Sequence, residues 1–455
     1  MADRKPQVFT ETELREIKED INRARRPRAY EPGRWSVSPL NRDPEVAGRM
    51  PTSVRFRDIT LRAIEALPGV VVSTRAKSEY LRQLVEAGVP EIVTAGVRDR
   101  GDDELRRDIE MVKSIDPDRR VTCPLVFSAR DLAAPARAGY DAVQIWVPPW
   151  GGASRLYEAG VHAAAWRGDD WRDLGLPSDR AGFVARAADL VTRARDLGLE
   201  VTAPLLMVSF LSIEELLETC SVLVHAGANE IGLFDGPGAM SPEAYGHLVA
   251  QTKAHFPDVR VGIHPHNTFG LAVAAAIAAA RNGVDVVEVS VNGYCGGPGN
   301  ADLSVATAAF EALYGVETGI RPERLKALAR AGERLTGYRT AYNHPVTGDR
   351  VYNWGGMDFI TQELGIDELL HNAIAPGWSG STIDIPITEV SGPFTLWDKM
   401  IRLGLAPTHQ TVETALGMIK SEIEKQGSLL TDAQVKDLCR AAGATTAPMP
   451  AEGHA

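Results

Sequence analysis

Between Thr52 and Asn292, eight short apolar or β-branched runs alternate with helical patterns, and this alternation constrains the fold more than any other feature of the chain. The runs lie at Val54 to Thr60, Glu91 to Thr94, Val121 to Phe127, Asp141 to Val147, Glu200 to Val208, Asn229 to Phe234, Val259 to Ile263 and Asp285 to Val291. Helical periodicity fills most of the gaps, as in Lys77 to Ala87, Ala181 to Leu197, Ile213 to His225 and Leu271 to Arg281. Strands separated by helices pair in parallel, and eight of them predict an α/β fold closed into a (β/α)8 or TIM barrel. A short echo supports the count. Ala87-Gly88-Val89, Ala138-Gly139-Tyr140, Ala226-Gly227-Ala228 and Asn282-Gly283-Val284 each place a left-handed helix stop just before an even-numbered strand.

The remainder of the 455 residues flanks this barrel. Residues 1–50 form an N-terminal extension, with a charged helix over Glu11 to Arg26 and an irregular Pro- and Arg-rich stretch from Tyr30 to Met50. The barrel occupies 51–318. A linker subdomain at 319–395 opens with a helix over Pro322 to Leu335 and is irregular from Thr340 to Asp384; residues 396–444 form a small helical subdomain of two or three helices, and 445–455 a disordered tail. The connection from Pro148 to Asp179, with Trp150, Trp166 and Trp171, is too long for a simple loop and reads as a lid over the barrel mouth or a surface elaboration.

Composition excludes some classes of function. Lys and Arg total 49 against 60 Asp and Glu, a net charge of -11, and there is no long basic block, which argues against a nucleic-acid partner. No stretch of about 18 apolar residues suits a membrane span, and Met1 to Arg28 lacks the apolar core of a secretion signal, so a cytoplasmic location is expected. Cys123, Cys220, Cys295 and Cys439 lie far apart with no Cys-x-x-Cys pair, a pattern that fits a reducing compartment and argues against a thiolate zinc site.

In such barrels the chemistry lies at the C-terminal ends of the strands. The residues found there are Arg62 after the first strand, Asp235 after the sixth, His264, His266 and Asn267 at the seventh, and Cys295 and Asn300 after the eighth. Residues two apart in a strand share a side, so His264 and His266 of His264-Pro265-His266-Asn267 supply half of a metal site. With an amide and a carboxylate they suit a divalent metal that polarises a 2-oxo or 2-hydroxy acid, while Arg62 grips its carboxylate. Arg62 by itself would read as an ordinary surface ion pair; its neighbours are what raise it to a candidate.

The same segments resemble the DRE-TIM metallolyase superfamily, which includes hydroxymethylglutaryl-CoA lyase, isopropylmalate and homocitrate synthases, and aldolases of 4-hydroxy-2-oxo acids. The superfamily's D-x-T-L-R-D-G-E-Q-x-P-G signature aligns without gaps to Asp58 through Gly69. Its D-T-x-G turn resembles Asp235-Gly236-Pro237-Gly238, its H-x-H-N-D-x-G-L-A run resembles His264 through Ala272, and its G-N-A loop resembles Asn292 through Ala301. Beyond the barrel, Asn343 to Gly348 and Asn353 to Asp358 resemble conserved stretches of the synthase subgroup. There is no room for the C-terminal feedback domain of leucine-sensitive isopropylmalate synthases, so no control of that kind is expected.

The resemblance implies a divalent metal (Mg, Mn, Co or Zn) on His264, His266 and Asn300, with Arg62, Glu65 and Asn267 binding substrate and Arg62, Asp235 and Cys295 in catalysis. It also implies a homo-oligomer. The chain departs from the pattern at Ala63, where the superfamily has its metal-binding Asp, at Ala66, where it has Gln, and at Ile92-Val93-Thr94, where the second-strand acid is absent. Gly236 replaces Thr, glycines replace the synthase Glu-Arg, and Asn353 and Asp358 replace the synthase histidines.

Three readings follow. An enzyme keeps the metal with a substitute oxygen from Glu65, Asp58 or water; or the barrel works on a changed substrate without a tight metal site; or it is a non-catalytic partner subunit of an active relative. An Arg57-Asp58 pair would serve only after a five-residue slip of the alignment. Within the enzyme reading, the synthase-like C-terminal region favours a Claisen-type condensation of an acyl-CoA with a 2-oxo acid. Cys295 in its glycine-rich loop favours a retro-aldol or retro-Claisen lyase of the hydroxymethylglutaryl-CoA lyase type.

Overall fold

The computed structural model describes residues 9–96, 102–147, 177 and 179–447. Eight parallel strands close on one another in chain order: β1 Arg55–Asp58, β2 Glu91–Val93, β3 Arg120–Val126, β4 Ala142–Ile145, β5 Glu200–Leu206, β6 Glu230–Asp235, β7 Arg260–Pro265 and β8 Val286–Val289. Closure comes from β8 pairing with β1, Val286 opposite Arg55 through Val289 opposite Asp58. The TIM barrel predicted from the alternation is thus the observed fold. Buried on both faces, its strands read as near-continuous apolar runs.

Local signals set the surrounding helices. Ser212 and Glu215 form a capping box that opens Ile213–Ala226, and Gly227 ends it at φ 103°. Gly139 likewise ends Arg130–Ala138 in the left-handed region. The helices Thr74–Glu86, Arg180–Asp196 and Ala272–Arg281 fall within a few residues of the periodic patterns.

The barrel interior carries a charged layer. Arg57 of β1 is fully buried; its guanidinium donates to Glu91 of β2 at 2.8 Å and to both carboxylate oxygens of Glu230 of β6 at 2.7 Å. Glu288 of β8 lies 3.4 Å from the same guanidinium. Contact between β1 and the non-adjacent β6 must cross the barrel, so Arg57 points inward. Gly262 of β7 leaves room for this pair, since a Cβ there would stand 2.7 Å from Glu230 Oε1. Period-two alternation then turns Asp58 outward to the helix layer, where it accepts from the Thr60 backbone N at 3.1 Å and hydroxyl at 2.7 Å, and from the Tyr80 hydroxyl at 3.4 Å.

The chain divides into two compact units, Leu40–Thr340 and Met1–Pro39 with Ala341–Ala455. The N-terminal segment is therefore built together with the C-terminal region. Arg25 pairs with Asp367 at 2.6 Å, and Trp35 bridges to Ile374. Two stretches expected to be irregular carry regular structure. Tyr30–Glu31 pairs antiparallel with Trp35–Ser36. Asp358–Ile366 is a helix whose first residue accepts from the backbone N of Thr395 at 2.9 Å, an anchor 37 residues away that no local pattern encodes.

Three helices, Pro393–Arg402, His409–Gln426 and Asp432–Ala441, share a core that includes Leu396, Trp397, Met400, Val412, Ile419 and Val435. Thr445–Thr446, the start of the expected tail, pairs with Leu405–Ala406. The tail beyond Ala447 lies outside the described residues, as does the long connection expected as a lid or elaboration, apart from Pro177 and Asp179. No described helix is long and apolar enough to cross a membrane.

Candidate metal and substrate site

The end of β7 places His264 inside the barrel mouth, 2% exposed, with its ring stacked on Phe234 of β6 at 4.5 Å between centroids. Phe234 and His264 are register partners on adjacent strands, which forces the stack. His264 Nδ1 lies 2.8 Å from Glu288 Oε2. Its Nε2 lies 3.1 Å from His266 Nε2, so both imidazoles converge on one point, as their spacing predicted. Asn300 Nδ2 approaches the same His264 Nε2 at 3.2 Å and the Pro265 carbonyl at 3.3 Å.

The electrostatics keep both rings neutral. Burial lowers the His264 pKa, and Arg62 adds to that, while Glu288 opposes it. Burial, together with His264 and Arg62, brings His266 down to about 3. Burial would by itself raise the carboxyl of Glu288, but His264, Arg57 and Arg62 outweigh it and hold the group below the usual carboxylate range. The result is a neutral imidazole donating Nδ1–H to an ionised carboxylate, with the Nε2 lone pair facing His266. Glu288 is held in turn by Gln144, whose Nε2 donates to Oε1 at 2.7 Å.

Arg62 follows β1 and lies half-buried with its guanidinium carbon 4.3 Å from the centre of the Trp146 ring. Trp146 packs edge-on against both Phe127 and Phe234, so a cation–π contact fixes the guanidinium above an aromatic floor beside His264. Cys295 is 4% exposed and packs with Ile59, Ala63 and Val93. Burial raises its thiol pKa, and the nearby positive charge of Arg62 pulls it part of the way back. The following loop depends on Gly299, at φ 86°, where a Cβ would fall 2.0 Å from the Gly293 carbonyl. That close approach lets Asn300 N donate to Gly293 O at 3.1 Å and Asn267 N to Gly299 O at 2.9 Å.

Asp235 closes the turn after β6, its Oδ2 accepting from Met240 N at 2.9 Å, while its Oδ1 is buried without a partner. Asn267 Oδ1 accepts from Ala272 N at 3.1 Å at the start of Ala272–Arg281. Glu65 is exposed and accepts from Gly96 N at 2.9 Å. Asp58, weighed as a substitute oxygen, faces the helix layer instead of the mouth, and Arg57 beside it is committed to the interior carboxylates.

Residues 53–331 match the model of the HMGL-like family. The chain belongs to the HMGL-like family. A Methanopyrus kandleri protein named after (R)-citramalate synthase is 30% identical over 394 residues, spanning 85% of this chain and 72% of that one. The 2-phosphonomethylmalate synthase of Streptomyces rubellomurinus is 32% identical over 301 residues, 65% of this chain and 74% of its own. The Bacillus subtilis HMG-CoA lyase structure superposes with a TM-score of 0.55 at 20% identity over 65% of this chain and 98% of that one, a likeness of fold.

As an HMGL-like barrel, the chain meets most of the requirements for a divalent metal. Two neutral imidazoles converge, one with a carboxylate behind it, and the amide of Asn300 keeps Oδ1 buried with no hydrogen-bond partner. What this HMGL-like member lacks is a carboxylate at position 63, whose methyl lies in an apolar cluster. Among the described residues, the group able to hold a metal is His264, His266 and Cys295, with ligand atoms all within 4.8 Å of one another.

Sequence reading missed Glu288, Gln144, Trp146 and Phe234. A signal existed for Glu288: a lone acid among Val286, Val287 and Val289, in a strand buried on both faces, requires a buried partner.

Proposed function

We propose that this protein catalyses a Claisen-type condensation of an acyl-CoA with a 2-oxo acid at a divalent metal held by His264, His266 and Asn300. The observation that carries this reading is the fixed guanidinium of Arg62 over Trp146, beside the paired imidazoles. A planar cation held in that way binds a carboxylate through two hydrogen bonds. A metal there would polarise the 2-oxo group and stabilise the oxygen that gains charge as the new bond forms.

Trp146 and Phe234 supply an apolar floor that keeps water from the reacting carbon. The names of the two relatives both describe a 2-substituted malate, the product type expected when an acetyl thioester adds to a 2-oxo acid. Similarity to the citramalate-type relative runs beyond the barrel over 85% of the chain, which favours synthesis over cleavage.

The test is release of free CoA thiol by the metal-loaded full chain from acetyl-CoA, with and without a panel of 2-oxo acids. Release that requires one oxo acid is the expected result. Cleavage of a 3-hydroxyacyl-CoA without any oxo acid would make the protein a lyase. No turnover in either direction with any divalent metal would overturn both the condensation and the lyase readings.

A further inference from the structure

We infer that Cys295 is a metal ligand, its thiolate standing in for the carboxylate that Ala63 removed, so that the site takes a zinc- or cobalt-type cation. The inference rests on the metal reading above and deepens it.

Three independent features of the mouth converge on this assignment. The first is placement. Cys295 comes from the loop after β8 and Ala63 from the short helix after β1, yet the two pack in one cluster with Ile59 and Val93. Position 63 is where the superfamily pattern puts its metal-binding acid, so Cys295 shares a cluster with the site of the lost ligand. The second is convergence. The Cys295 sulfur and the ligand nitrogens of His264 and His266 all lie within 4.8 Å of one another. The third is an unmet need on a residue in contact with His264. Asn300 is 1% exposed, and its Nδ2 is held by His264 and the Pro265 carbonyl, which leaves Oδ1 buried without any partner. A buried amide oxygen in that state calls for a donor or a cation.

The chemistry of the donors decides the class of ion. Two imidazoles and a thiolate, with an amide oxygen nearby, form a borderline-to-soft set that favours zinc or cobalt, whereas magnesium and manganese favour carboxylate and water oxygen. The wide spacing of the cysteines argued against a thiolate site from sequence; the fold supplies a single sulfur to a histidine pair instead. On binding, the thiol gives its proton to solvent and the sulfur lone pair goes to the cation, with no oxidation. Cys295 then holds the metal, and the proton-transfer role of a lyase cysteine is not available to it.

The test is optical. The full chain, Cys295→Ala, Cys295→Ser and the His264→Ala/His266→Ala double variant are each titrated with cobalt(II), with thermal unfolding as a check on folding. Zinc affinity is measured by competition with a chromophoric chelator. The expected result is a near-ultraviolet sulfur-to-cobalt band in the parent that is absent from both Cys295 variants, with zinc affinity falling by about 100-fold or more, beyond the loss caused by removing an outer-shell partner.

If both Cys295 variants keep the parent's spectrum and affinity while the double histidine variant loses cobalt, the metal site stands and Cys295 is not a ligand. If the folded parent binds neither cobalt nor zinc, the metal reading falls and this inference falls with it. Should Cys295→Ala fail to fold, Cys295→Ser decides, because a hydroxyl keeps the volume but gives no sulfur band.

Discussion

Glu288 Oε2 lies 2.8 Å from His264 Nδ1 inside the barrel, and this contact fixes which nitrogen of the histidine faces the mouth. The carboxylate accepts the Nδ1 proton, so the Nε2 lone pair is presented toward His266. Glu288 is itself gripped by Gln144 Nε2 at 2.7 Å and lies 3.4 Å from Arg57. The tautomer at the mouth is thus tied to the charged layer in the barrel interior.

Replacing that carboxylate by an amide should loosen the histidine without emptying the space it fills. Glu288→Gln is expected to weaken divalent-metal binding by about 10- to 100-fold while the barrel stays folded. Isothermal titration calorimetry on the parent and variant checks this, and equal affinities would disconnect Glu288 from the site.

Arg62→Lys keeps a positive charge but loses the planar fork and its stacking on Trp146. We expect kcat/KM for the condensation to fall roughly 10- to 100-fold, the worth of a charge-assisted hydrogen bond, with an unchanged melting temperature. Normal turnover would remove Arg62 from substrate binding.

Arg57 neutralises a buried cluster of Glu91, Glu230 and Glu288. Arg57→Met would leave those carboxylates without their central partner, and is expected to cost about 3–5 kcal/mol in urea unfolding. A loss below about 1 kcal/mol would mean that the flanking Arg120 and Arg260 carry the charge balance.

Asp58 gives a stability signal in pH. Burial raises its carboxyl to about 7, against an ordinary 3.8, despite hydrogen bonds from Thr60 and Tyr80. The folded chain therefore holds this proton more tightly than the unfolded chain. The stabilisation is complete below the unfolded pKa and is lost as pH rises through about 7. Asp58→Asn cannot ionise, so its stability relative to the parent should improve by about 2–3 kcal/mol between about pH 5 and about pH 8. Urea unfolding of both proteins at the two pH values checks this. A constant difference would show that Asp58 does not titrate in that window.

Much of the architecture was legible because it is written in short-range patterns. The strand runs, the capping box at Ser212 and Glu215, and the glycine stop at Gly227 each act within one or two turns of chain. The helix at Asp358–Ile366 was missed for the opposite reason, since its first residue is anchored by Thr395. His264 and His266 were legible as a pair because strand geometry alone puts them on one side. The outward placement of Asp58 was not legible in the same way, because it depends on Arg57 occupying the interior face of β1 with partners across the barrel.

By itself, then, the sequence determined the closed eightfold barrel, the convergence of two imidazoles at its mouth and the loss of an acid at Ala63, all of them consequences of local periodicity or residue identity. Only the tertiary structure decided that Glu288 backs His264, that Trp146 carries Arg62 and that Cys295 packs against Ala63. Those contacts join residues far apart in the chain, and their meeting depends on β8 closing onto β1, on the register of each strand pair and on the loop that Gly299 permits. A side chain's partners across a barrel are set by that closure, which no segment of the chain encodes alone.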